Sequence, residues 1–362
     1  MTIALDATPL TISTGGVARY TLELARALAT EFPQDQYWLL SDQILPAPVL
    51  FPSNLRCGSP PPSLLGRRWW LFGLDQQMSR RQVDLFHGTD FSVPYLNRRP
   101  SVMTLHDVSP WTFRDPGAQR IRRRTPILLR LGLAAMVITP SQAVRREAIA
   151  RFRLAPDRVV AVPLAASDAF QRVETPPPSK PYFLFAGTLE PRKNIGRLIE
   201  AWREARKSFD VDLVLAGRIR GDFSAPAAEP GLRVFGPVPD ADLPGLYSGA
   251  LAVVYPSLYE GFGLPVLEAM QCGAIVVTSR DPAIREVSGD GAIQVEAEDT
   301  RGLAEALRAI GRAPENFGAL RSRALARARE FSWQRTARLT HDVYLSAQRA
   351  FHKGAECAFP NG

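Results

Sequence analysis

The chain has 362 residues, a length that corresponds to about two domains of ordinary size. Hydrophobic residues make up 46% and charged residues 22%, which excludes disordered and fibrous proteins. The formal net charge is +8 and most of it lies in the first half of the chain, so an anionic partner is expected.

Short apolar runs alternate with segments of helical periodicity along the chain. The apolar runs predict strands at residues 2–5, 37–40, 102–105, 136–139, 159–162, 182–186, 211–216, 251–255 and 274–278. Helices are expected at 17–29, 195–207, 264–272, 301–310 and 334–351, the last with Ser332 as its N-cap. Continuous apolar strands alternating with helices indicate parallel sheets, and therefore an α/β protein of two doubly wound, Rossmann-like domains facing a cleft.

A proline-rich segment divides this pattern. Residues 173–181 hold four prolines in six positions, which sustain neither a helix nor a central strand. We therefore predict an N-terminal domain at 1–172, a linker at 173–181 and a second domain at 182–333. The remaining residues, 334–362, carry a helix that is expected to pack back on the N-terminal domain.

Several classes of protein are disfavoured. The start of the chain lacks a basic, cleavable leader, and no apolar run approaches the roughly 18 residues of a membrane span. The cysteines, Cys57, Cys272 and Cys357, are far apart and form neither a disulfide framework nor a zinc pattern, so a cytoplasmic protein is expected. Aromatic and basic residues are not interleaved as in a nucleic-acid groove, and we expect no nucleic-acid partner.

The segment Glu260-Gly261-Phe262-Gly263-Leu264-Pro265 follows a predicted strand and opens a predicted helix that contains Glu268. Glycines before a helix let backbone N–H groups approach an anion at the positive end of the helix dipole, which is typical of a diphosphate site. A carboxylate that accepts two neighbouring hydroxyls commonly holds a ribose, so Glu260 and Glu268 are predicted to face one ligand. The alternative, two solvated helix charges, is not favoured beside the glycine motif.

Three further segments lie where strands are predicted to end. Arg192 and Lys193 follow Gly187 at the start of a predicted helix, where cations are unfavourable unless an anion is bound. Gly15-Gly16 lies between the first strand and helix, where the backbone can approach a ligand, although such a pair is often only a turn. His106-Asp107 ends a strand, and His87 is a weaker candidate; either histidine is compatible with a structural role.

A metal site is not predicted. Asp240 and Asp242, like Asp210 and Asp212, match the short Asp-x-Asp pattern that binds a divalent cation in some sugar transferases. The first pair precedes a predicted helix, where Asp is a common N-cap, and the second leads into a buried strand. Two carboxylates without further ligands define no metal site, so we expect neither metal nor cofactor.

These motifs carry a resemblance to a known family. The stretch from Glu260 to Glu268, with seven residues between the carboxylates, resembles the signature of retaining family 4 glycosyltransferases of GT-B fold. The segments at Gly187 to Asn194, Gly15-Gly16 and His106-Asp107 are similar to the family's other landmarks and occur in its order. The likeness covers essentially the whole chain. It departs at residues 162–167, where relatives usually show Pro-Asn-Gly.

The resemblance implies an acceptor-binding first domain, a nucleotide-sugar-binding second domain and residue roles. Glu268 would hold the donor ribose and Glu260 the donor sugar. Arg192 and Lys193 would neutralise the leaving diphosphate, while His106 would lie near the reacting centre. The remaining donor contacts would come from Gly16, Gly187, Phe262, Gly263 and Leu264. On the acceptor side we place His87, Asp107, Arg122, Arg123 and Arg124.

The implied reaction is transfer of a hexose to a glycan or polyprenyl-diphosphate-linked acceptor in polysaccharide synthesis. Among the donors, GDP-mannose, which carries mannose, is the preferred prediction. Alternatives of the same fold are a nucleotide-sugar epimerase or a sugar phosphorylase, because fold does not fix function. Arginines 120–130 and the segment Arg67-Arg68-Trp69-Trp70 also predict peripheral binding to an anionic membrane surface. The competing interpretation is a solvated arginine face and a tryptophan pair in the core.

Overall fold

The computed structural model describes residues 1–11, 15–46, 51–61, 66, 68–96, 98–113, 115–174 and 178–358. It contains two compact units, the first formed by Met1–Leu164 with Ser332–Gly362 and the second by Ala165–Phe331. The division therefore falls before the predicted linker at 173–181. Residues 175–177 of that segment lie outside the described part, but Val173 already belongs to the second unit, where its N–H donates to Ser248 Oγ at 3.0 Å. Prolines in the sequence predict a stiff connection, but the contacts of the segment assign it to the second unit.

The first unit is built on a parallel sheet with seven strands among the described residues, in the order β3-β2-β1-β4-β5-β6-β7. The strands are β1 (Thr2–Asp6), β2 (Gln36–Leu40), β3 (Leu55–Cys57), β4 (Leu85–Gly88), β5 (Ser101–Thr104), β6 (Met136–Thr139) and β7 (Val159–Ala161). The sequence predicted all but β3 and β4. The edge strand β3 is short and half exposed, and β4 has a histidine and a glycine where an apolar run would continue.

The second unit contains a six-stranded parallel sheet in the order β10-β9-β8-β11-β12-β13, again counted over the described residues. Its strands are β8 (Tyr182–Ala186), β9 (Asp212–Ala216), β10 (Leu232–Gly236), β11 (Ala252–Tyr255), β12 (Val276–Ser279) and β13 (Ile293–Val295). The unpredicted β10 and β13 are the two edge strands. They are partly exposed to solvent, so their sequences lack the continuous apolar run of a buried strand.

Helices follow most of the strands, and several of them pack against strands of their own unit. They are α1 (Gly16–Glu31), α2 (Leu74–Arg80), α3 (Ser109–Thr112), α4 (Gln119–Arg130), α5 (Gln142–Phe152), α6 (Ile195–Ala205), α7 (Leu243–Gly249), α8 (Leu264–Gln271), α9 (Pro282–Ser288), α10 (Thr300–Arg312), α11 (Gly318–Ala328) and α12 (Trp333–Ala358). A π-helical turn, Trp69–Gly73, precedes α2. Of the helices that the structure describes, none has the length and apolar character needed to traverse a bilayer.

The last helix, α12, returns to the first unit and packs along α1. Its start is capped as predicted, since the N–H of Arg335 donates to Ser332 Oγ at 3.2 Å. The ring of His341 stacks on Phe32 with centroids 3.8 Å apart, and its Nε2 lies 2.9 Å from Asp35 Oδ2. Ring stacking and a polar contact therefore both fix this helix to the first unit.

Candidate active site

In the second unit the predicted site residues gather where β8, β9 and β11 end, the edge at which parallel α/β sheets bind ligands. Gly187 follows β8 with φ +147°, and Gly217 follows β9 with φ +151°, backbone conformations that side chains rarely adopt. A Cβ on Gly217 would lie 1.8 Å from the carbonyl oxygen of Gly187. The two loops therefore touch through their backbones.

The centre of this edge is a buried ion cluster around Glu260. Its Oε1 accepts a hydrogen bond from Lys193 Nζ at 2.5 Å, and its Oε2 accepts one from Arg192 at 3.1 Å. Arg192 also donates to the Tyr259 carbonyl at 3.0 Å. Lys193 is only 5% exposed and Glu260 only 7%, so these residues are not solvated surface charges.

In a buried ion pair of this kind, the attraction between the opposite charges offsets the cost of removing both from water. Burial by itself would raise the pKa of Glu260, but the charges of Lys193 and Arg192 outweigh it and hold that pKa below its usual range. Burial lowers the pKa of Lys193, and the neighbouring Arg192 lowers it further. Glu260 is therefore an ionised acceptor, and the two cations already have carboxylate partners.

Local geometry explains how two consecutive cations reach one carboxylate. Arg192 and Lys193 form a 3₁₀ turn, Pro191–Lys193, rather than the first turn of α6. Asn194 then adopts a left-handed conformation at φ +60° and starts α6 at the next residue. Its side-chain amide donates to the carbonyls of Pro256 and Ala297 at 3.1 and 2.6 Å, which ties the turn to the loop after β11.

A second carboxylate, Glu190, lies beside Arg192 and escaped the sequence analysis. Its Oε1 is 2.7 Å from Arg192 Nε, and its Oε2 accepts a hydrogen bond from Arg220. Arg220 in turn contacts Asp222 at 2.5 Å. Its position in the sequence could have identified it, because Glu190 comes directly before the Pro191–Lys193 turn.

Tyr255 was also missed, although it is the last residue of β11. Its hydroxyl accepts a hydrogen bond from Lys193 Nζ at 2.7 Å, and its ring stacks on Phe185 with centroids 5.2 Å apart. Burial, and next the charge of Glu260, raise the pKa of Tyr255 well above its ordinary value. The phenol is therefore a neutral partner that fixes the lysine ammonium.

The glycine motif forms the beginning of α8, as predicted. Gly263 is the N-cap residue at φ +100°, Leu264 begins the helix and Pro265 occupies its first turn. Phe262 is buried against Phe331, with ring centroids 5.8 Å apart. The backbone N–H of Glu260 donates to Asp281 Oδ2 at 3.3 Å, which anchors the loop on α9.

Glu268 lies one turn into α8 and is 1% exposed. Its Oε2 accepts a hydrogen bond from the Tyr247 hydroxyl of α7 at 3.1 Å. Glu260 lies in the loop between β11 and α8 and Glu268 lies in α8 itself, so both belong to the same connection. Each carboxylate has a protein donor of its own.

In the first unit, His106 follows β5 and Gly16 begins α1, preceded by the N-cap Gly15 at φ +144°. His106 Nε2 is 2.7 Å from the Thr89 carbonyl oxygen, which only accepts, so Nε2 carries the proton. Burial lowers the pKa of His106, although Thr89 and Asp107 oppose this. The imidazole is therefore neutral near pH 7, with Nδ1 as its acceptor atom.

Two predicted acceptor-side residues are engaged in structural roles. His87 is fully buried in β4, where Nδ1 lies 2.8 Å from Tyr344 Oη and Nε2 lies 2.8 Å from Thr104 Oγ1. Burial lowers its pKa to about 3, so the ring stays neutral. Asp107 Oδ1 accepts hydrogen bonds from Ser109 N and Oγ at 2.9 and 2.7 Å and so shapes the turn before α3.

The arginines of α4 do not form one solvated face. Arg122 and Arg123 are exposed, whereas Arg124 is 9% exposed and donates to the Val93 carbonyl at 3.0 Å. Trp69, predicted for the membrane surface, is 3% exposed in a core cluster. The membrane-facing prediction for Trp69 is therefore wrong, because its large apolar surface is buried inside the unit; Arg67 lies outside the described residues.

Comparisons with known proteins agree with this architecture. Residues 167–330 match the family described as Glycosyl transferases group 1, and residues 14–169 match Glycosyltransferase Family 4. The chain is 35% identical over 286 residues to the O-antigen chain mannosyltransferase B of Escherichia coli, covering 72% of this chain and 74% of that protein. The chain belongs to the group 1 and family 4 glycosyltransferases. The predicted family is confirmed.

One further relative and one solved structure extend the comparison. The O-antigen chain mannosyltransferase RfbU of Salmonella typhimurium is 27% identical over 235 residues, or 63% of this chain and 65% of that protein. Among solved structures, sucrose-phosphate synthase of Thermosynechococcus elongatus matches with a TM-score of 0.76 at 20% identity, covering 96% of this chain and 99% of that chain. The predicted GT-B fold, with two Rossmann-like domains, is confirmed.

Proposed function

We propose that this glycosyltransferase moves a hexose, in the first place mannose from GDP-mannose, to a glycan or lipid-linked oligosaccharide acceptor in polysaccharide synthesis, with retention of the anomeric configuration. The observation that carries the proposal is the buried cluster of Glu260, Arg192 and Lys193 beside the start of α8. The two O-antigen mannosyltransferases among its relatives support the choice of mannose and of a polysaccharide product.

The proposed donor site uses charges that are fixed before the donor binds. Departure of a nucleoside diphosphate develops negative charge, which oriented cations and N–H dipoles stabilise without reorganisation. Arg192 and Lys193 supply the cations, and N–H groups of Phe262, Gly263 and Leu264 lie at the positive end of α8. In the free protein Glu260 compensates these cations. When the donor binds, the cations stay in place and the diphosphate replaces Glu260 as their partner, which frees the Glu260 carboxylate for the sugar hydroxyls.

The other donor contacts follow from burial and backbone shape. Glu268 accepts from Tyr247 at 3.1 Å, which leaves its carboxylate further lone pairs for the two ribose hydroxyls. Gly187 and Gly16 let the backbone approach the donor, and His106 is assigned to the sugar and the reacting centre. No side-chain nucleophile is required if the leaving phosphate oxygen takes the acceptor proton on the same face. A metal is not required in this proposal, because Arg192 and Lys193 neutralise the leaving diphosphate.

A donor screen tests this proposal. Purified protein is incubated with GDP-mannose, UDP-glucose or dTDP-rhamnose, and release of the nucleoside diphosphate is measured with and without a mannose-terminated oligosaccharide. We expect GDP-mannose to be used at least tenfold faster than the others, and NMR to show an α-linked product. Glu260→Gln should lose turnover and some stability, because it leaves Lys193 and Arg192 without their shared carboxylate. Calorimetric titration of GDP into the folded variant then separates a defect in chemistry from loss of the nucleotide site. Release from UDP-glucose alone, or a β-linked product, contradicts the proposal.

A further inference from the structure

Glu190 is a buried carboxylate to which the proposed donor site gives no role. Its side chain is only 6% exposed and lies between two guanidinium groups. Oε1 is 2.7 Å from Arg192 Nε, and Oε2 accepts a hydrogen bond from Arg220. A carboxylate removed from water needs such partners, because otherwise the loss of hydration is not offset. Glu190 is therefore held through both of its oxygens.

The backbone around Glu190 explains this placement. Leu189 and Ile219 form a parallel β-bridge beyond the ends of β8 and β9. The N–H of Leu189 donates to the Arg218 carbonyl at 2.8 Å, and the N–H of Arg220 donates to the Leu189 carbonyl at 3.0 Å. Glu190 and Arg220 each follow a residue of this bridge, so their side chains meet. The connection after β9 thus holds the carboxylate beside the donor-site cations.

Arg192 is bound at two different nitrogens. Its Nε pairs with Glu190, whereas its Nη1 donates to Glu260 Oε2 at 3.1 Å and to the Tyr259 carbonyl at 3.0 Å. A guanidinium is planar and rigid, so a partner fixed at Nε limits the directions that the terminal nitrogens can take. When the diphosphate replaces Glu260, Glu190 can keep its contact and Arg192 stays aimed at the leaving group.

The charge of Glu190 also reaches Lys193. Burial and the charge of Arg192 lower the pKa of Lys193, whereas Glu260 and, to a smaller extent, Glu190 raise it. The ion network consists of three cations, Arg192, Lys193 and Arg220, and three carboxylates, Glu190, Glu260 and Asp222. A diphosphate that binds the same cations comes close to Glu190, and the like charges repel. Glu190 is therefore expected to weaken the binding of a diphosphate.

Weaker binding at this position favours turnover. The nucleoside diphosphate gains negative charge as its bond to the sugar breaks, so the cations hold the product strongly. Release of product limits the turnover of many enzymes, and tight binding that is equal in the ground and transition states does not raise kcat. A carboxylate that shares Arg192 with the diphosphate lowers product affinity and leaves the cation in place.

We propose that Glu190 is a positioning residue that aims Arg192 at the leaving diphosphate and, through its charge, limits how tightly the released nucleoside diphosphate is held. The inference rests on the proposed function, because it requires a diphosphate beside Arg192 and Lys193. It adds to that function a residue outside the segment from Glu260 to Glu268.

The test is calorimetric titration of the full chain with GDP and with inorganic pyrophosphate, together with steady-state kinetics. Glu190→Gln keeps the size and an acceptor oxygen of the side chain but removes its charge. We expect it to bind both anions at least about threefold more tightly, because a repulsive charge is gone. Both kcat and the KM for the donor should fall. Glu190→Asp, which keeps the charge, should stay within about twofold of the wild-type affinity.

Arg220 provides a variant of opposite sign. Arg220→Gln removes a cation that compensates Glu190, so both anions should bind at least about threefold more weakly. The double variant Glu190→Gln/Arg220→Gln should return close to the wild-type affinity. Glu229→Gln is the matched control, because it removes a carboxylate from the half-exposed Arg203, outside the ion network, and it should bind like the wild type.

Urea unfolding establishes that each variant is folded. Unchanged or weaker binding of both anions by folded Glu190→Gln would overturn the inference, since a purely structural role predicts that result. If Glu190→Gln does not fold, unchanged affinity in Arg220→Gln overturns it instead. A wild-type protein that binds pyrophosphate but not GDP rejects the proposed donor, and the pyrophosphate titrations still decide the role of Glu190. Binding of neither anion by the wild type rejects both proposals.

Discussion

The ammonium of Lys193 lies 2.5 Å from the Glu260 carboxylate, and both groups are buried. The pair joins a turn after β8 to the loop after β11, so it contributes to structure as well as to the proposed chemistry. Removal of Lys193 should therefore cost stability as well as turnover. Arg192 has its own second carboxylate, Glu190, and its side chain remains more accessible.

Lys193→Ala should reduce both turnover and stability. Removing one partner of a buried ion pair leaves an uncompensated charge, at a cost of about 3–5 kcal/mol. Urea unfolding measures the loss, and the double variant Lys193→Ala/Glu260→Gln should recover part of it because the stranded charge is gone. Arg192→Ala should lower turnover more than stability. A double variant no more stable than Lys193→Ala would show that Glu260 is not stranded.

Glu268→Ala should weaken the binding of GDP. A buried carboxylate that accepts hydroxyl hydrogen bonds contributes about 1.5–3 kcal/mol, equivalent to roughly one to two orders of magnitude in affinity. Calorimetric titration of GDP gives the value, and Tyr247→Phe is the control, because it removes the donor to Glu268 but keeps the carboxylate. Wild-type affinity in a folded Glu268→Ala protein would exclude Glu268 from the nucleotide site.

The stability of the first unit should depend on pH through His87. Burial holds its pKa at about 3 against an ordinary value of 6.5, so the folded protein keeps it neutral while the unfolded chain is protonated below pH 6.5. The contribution is fully present above pH 6.5 and is lost as pH falls towards 3, by about 1.4 kcal/mol per pH unit. Asp6 and Asp90 act in the opposite sense, because burial raises both pKa values to about 6.

The measurement is therefore a difference between two proteins. The free energy of unfolding is compared for wild type and His87→Gln from pH 7.5 to 4.5, so that the common carboxylate contribution cancels. The advantage of the wild type should shrink as the solution becomes more acidic. An advantage that stays constant with pH would mean that the pKa of His87 is the same in the folded and unfolded states.

The sequence predicted those features that depend on residues close together along the chain. The Gly263 motif, the carboxylates at Glu260 and Glu268 and nine of the strands follow from short-range patterns, because period and turn chemistry are local properties. Tyr255 and Glu190 could not be found in this way. Their importance arises from Lys193 and Arg192, which reach them through side-chain contacts.

The sequence analysis failed mainly to predict which polar residues are buried. The pattern around Arg124 is as polar as that of its exposed neighbours, and only the tertiary placement of Trp70 and Tyr95 buries it. His87 was a weaker site candidate than His106, and its Nδ1 lies 2.8 Å from the hydroxyl of Tyr344, a distant residue on α12. Such pairings depend on contacts between residues far apart in the sequence, which no local periodicity encodes.

Transfer should survive excess EDTA. No group of three or more metal-ligating side chains occurs within the described stretches, and Asp242 is the N-cap residue of α7. Product formation from donor and acceptor is measured with and without the chelator. Inhibition that magnesium or manganese reverses would return Asp240 and Asp242 to consideration as ligands.

The protein should sediment with anionic liposomes at low salt and be released at high salt. The exposed Arg122 and Arg123 and the apolar Ile127 and Leu131 provide the surface, with about 1 kcal/mol per basic residue near the bilayer. Arg122→Gln/Arg123→Gln should shift the release to lower salt, whereas neutral liposomes should not bind. If the protein stays in the supernatant with anionic liposomes at low salt, a water-soluble acceptor becomes the better proposal.

The return of α12 to the first unit has a consequence for the order of events on the ribosome. The second unit is a continuous stretch, Ala165–Phe331, and can close as soon as it emerges, although it is made later than most of the first. The first unit must wait for α12, about 190 residues after Leu164, or roughly 10–40 s at ordinary rates of synthesis. During that interval the faces of α1 and β4 that receive His341 and Tyr344 stay uncovered. The surface that α12 covers therefore stays exposed to solvent until the last part of the chain has been made.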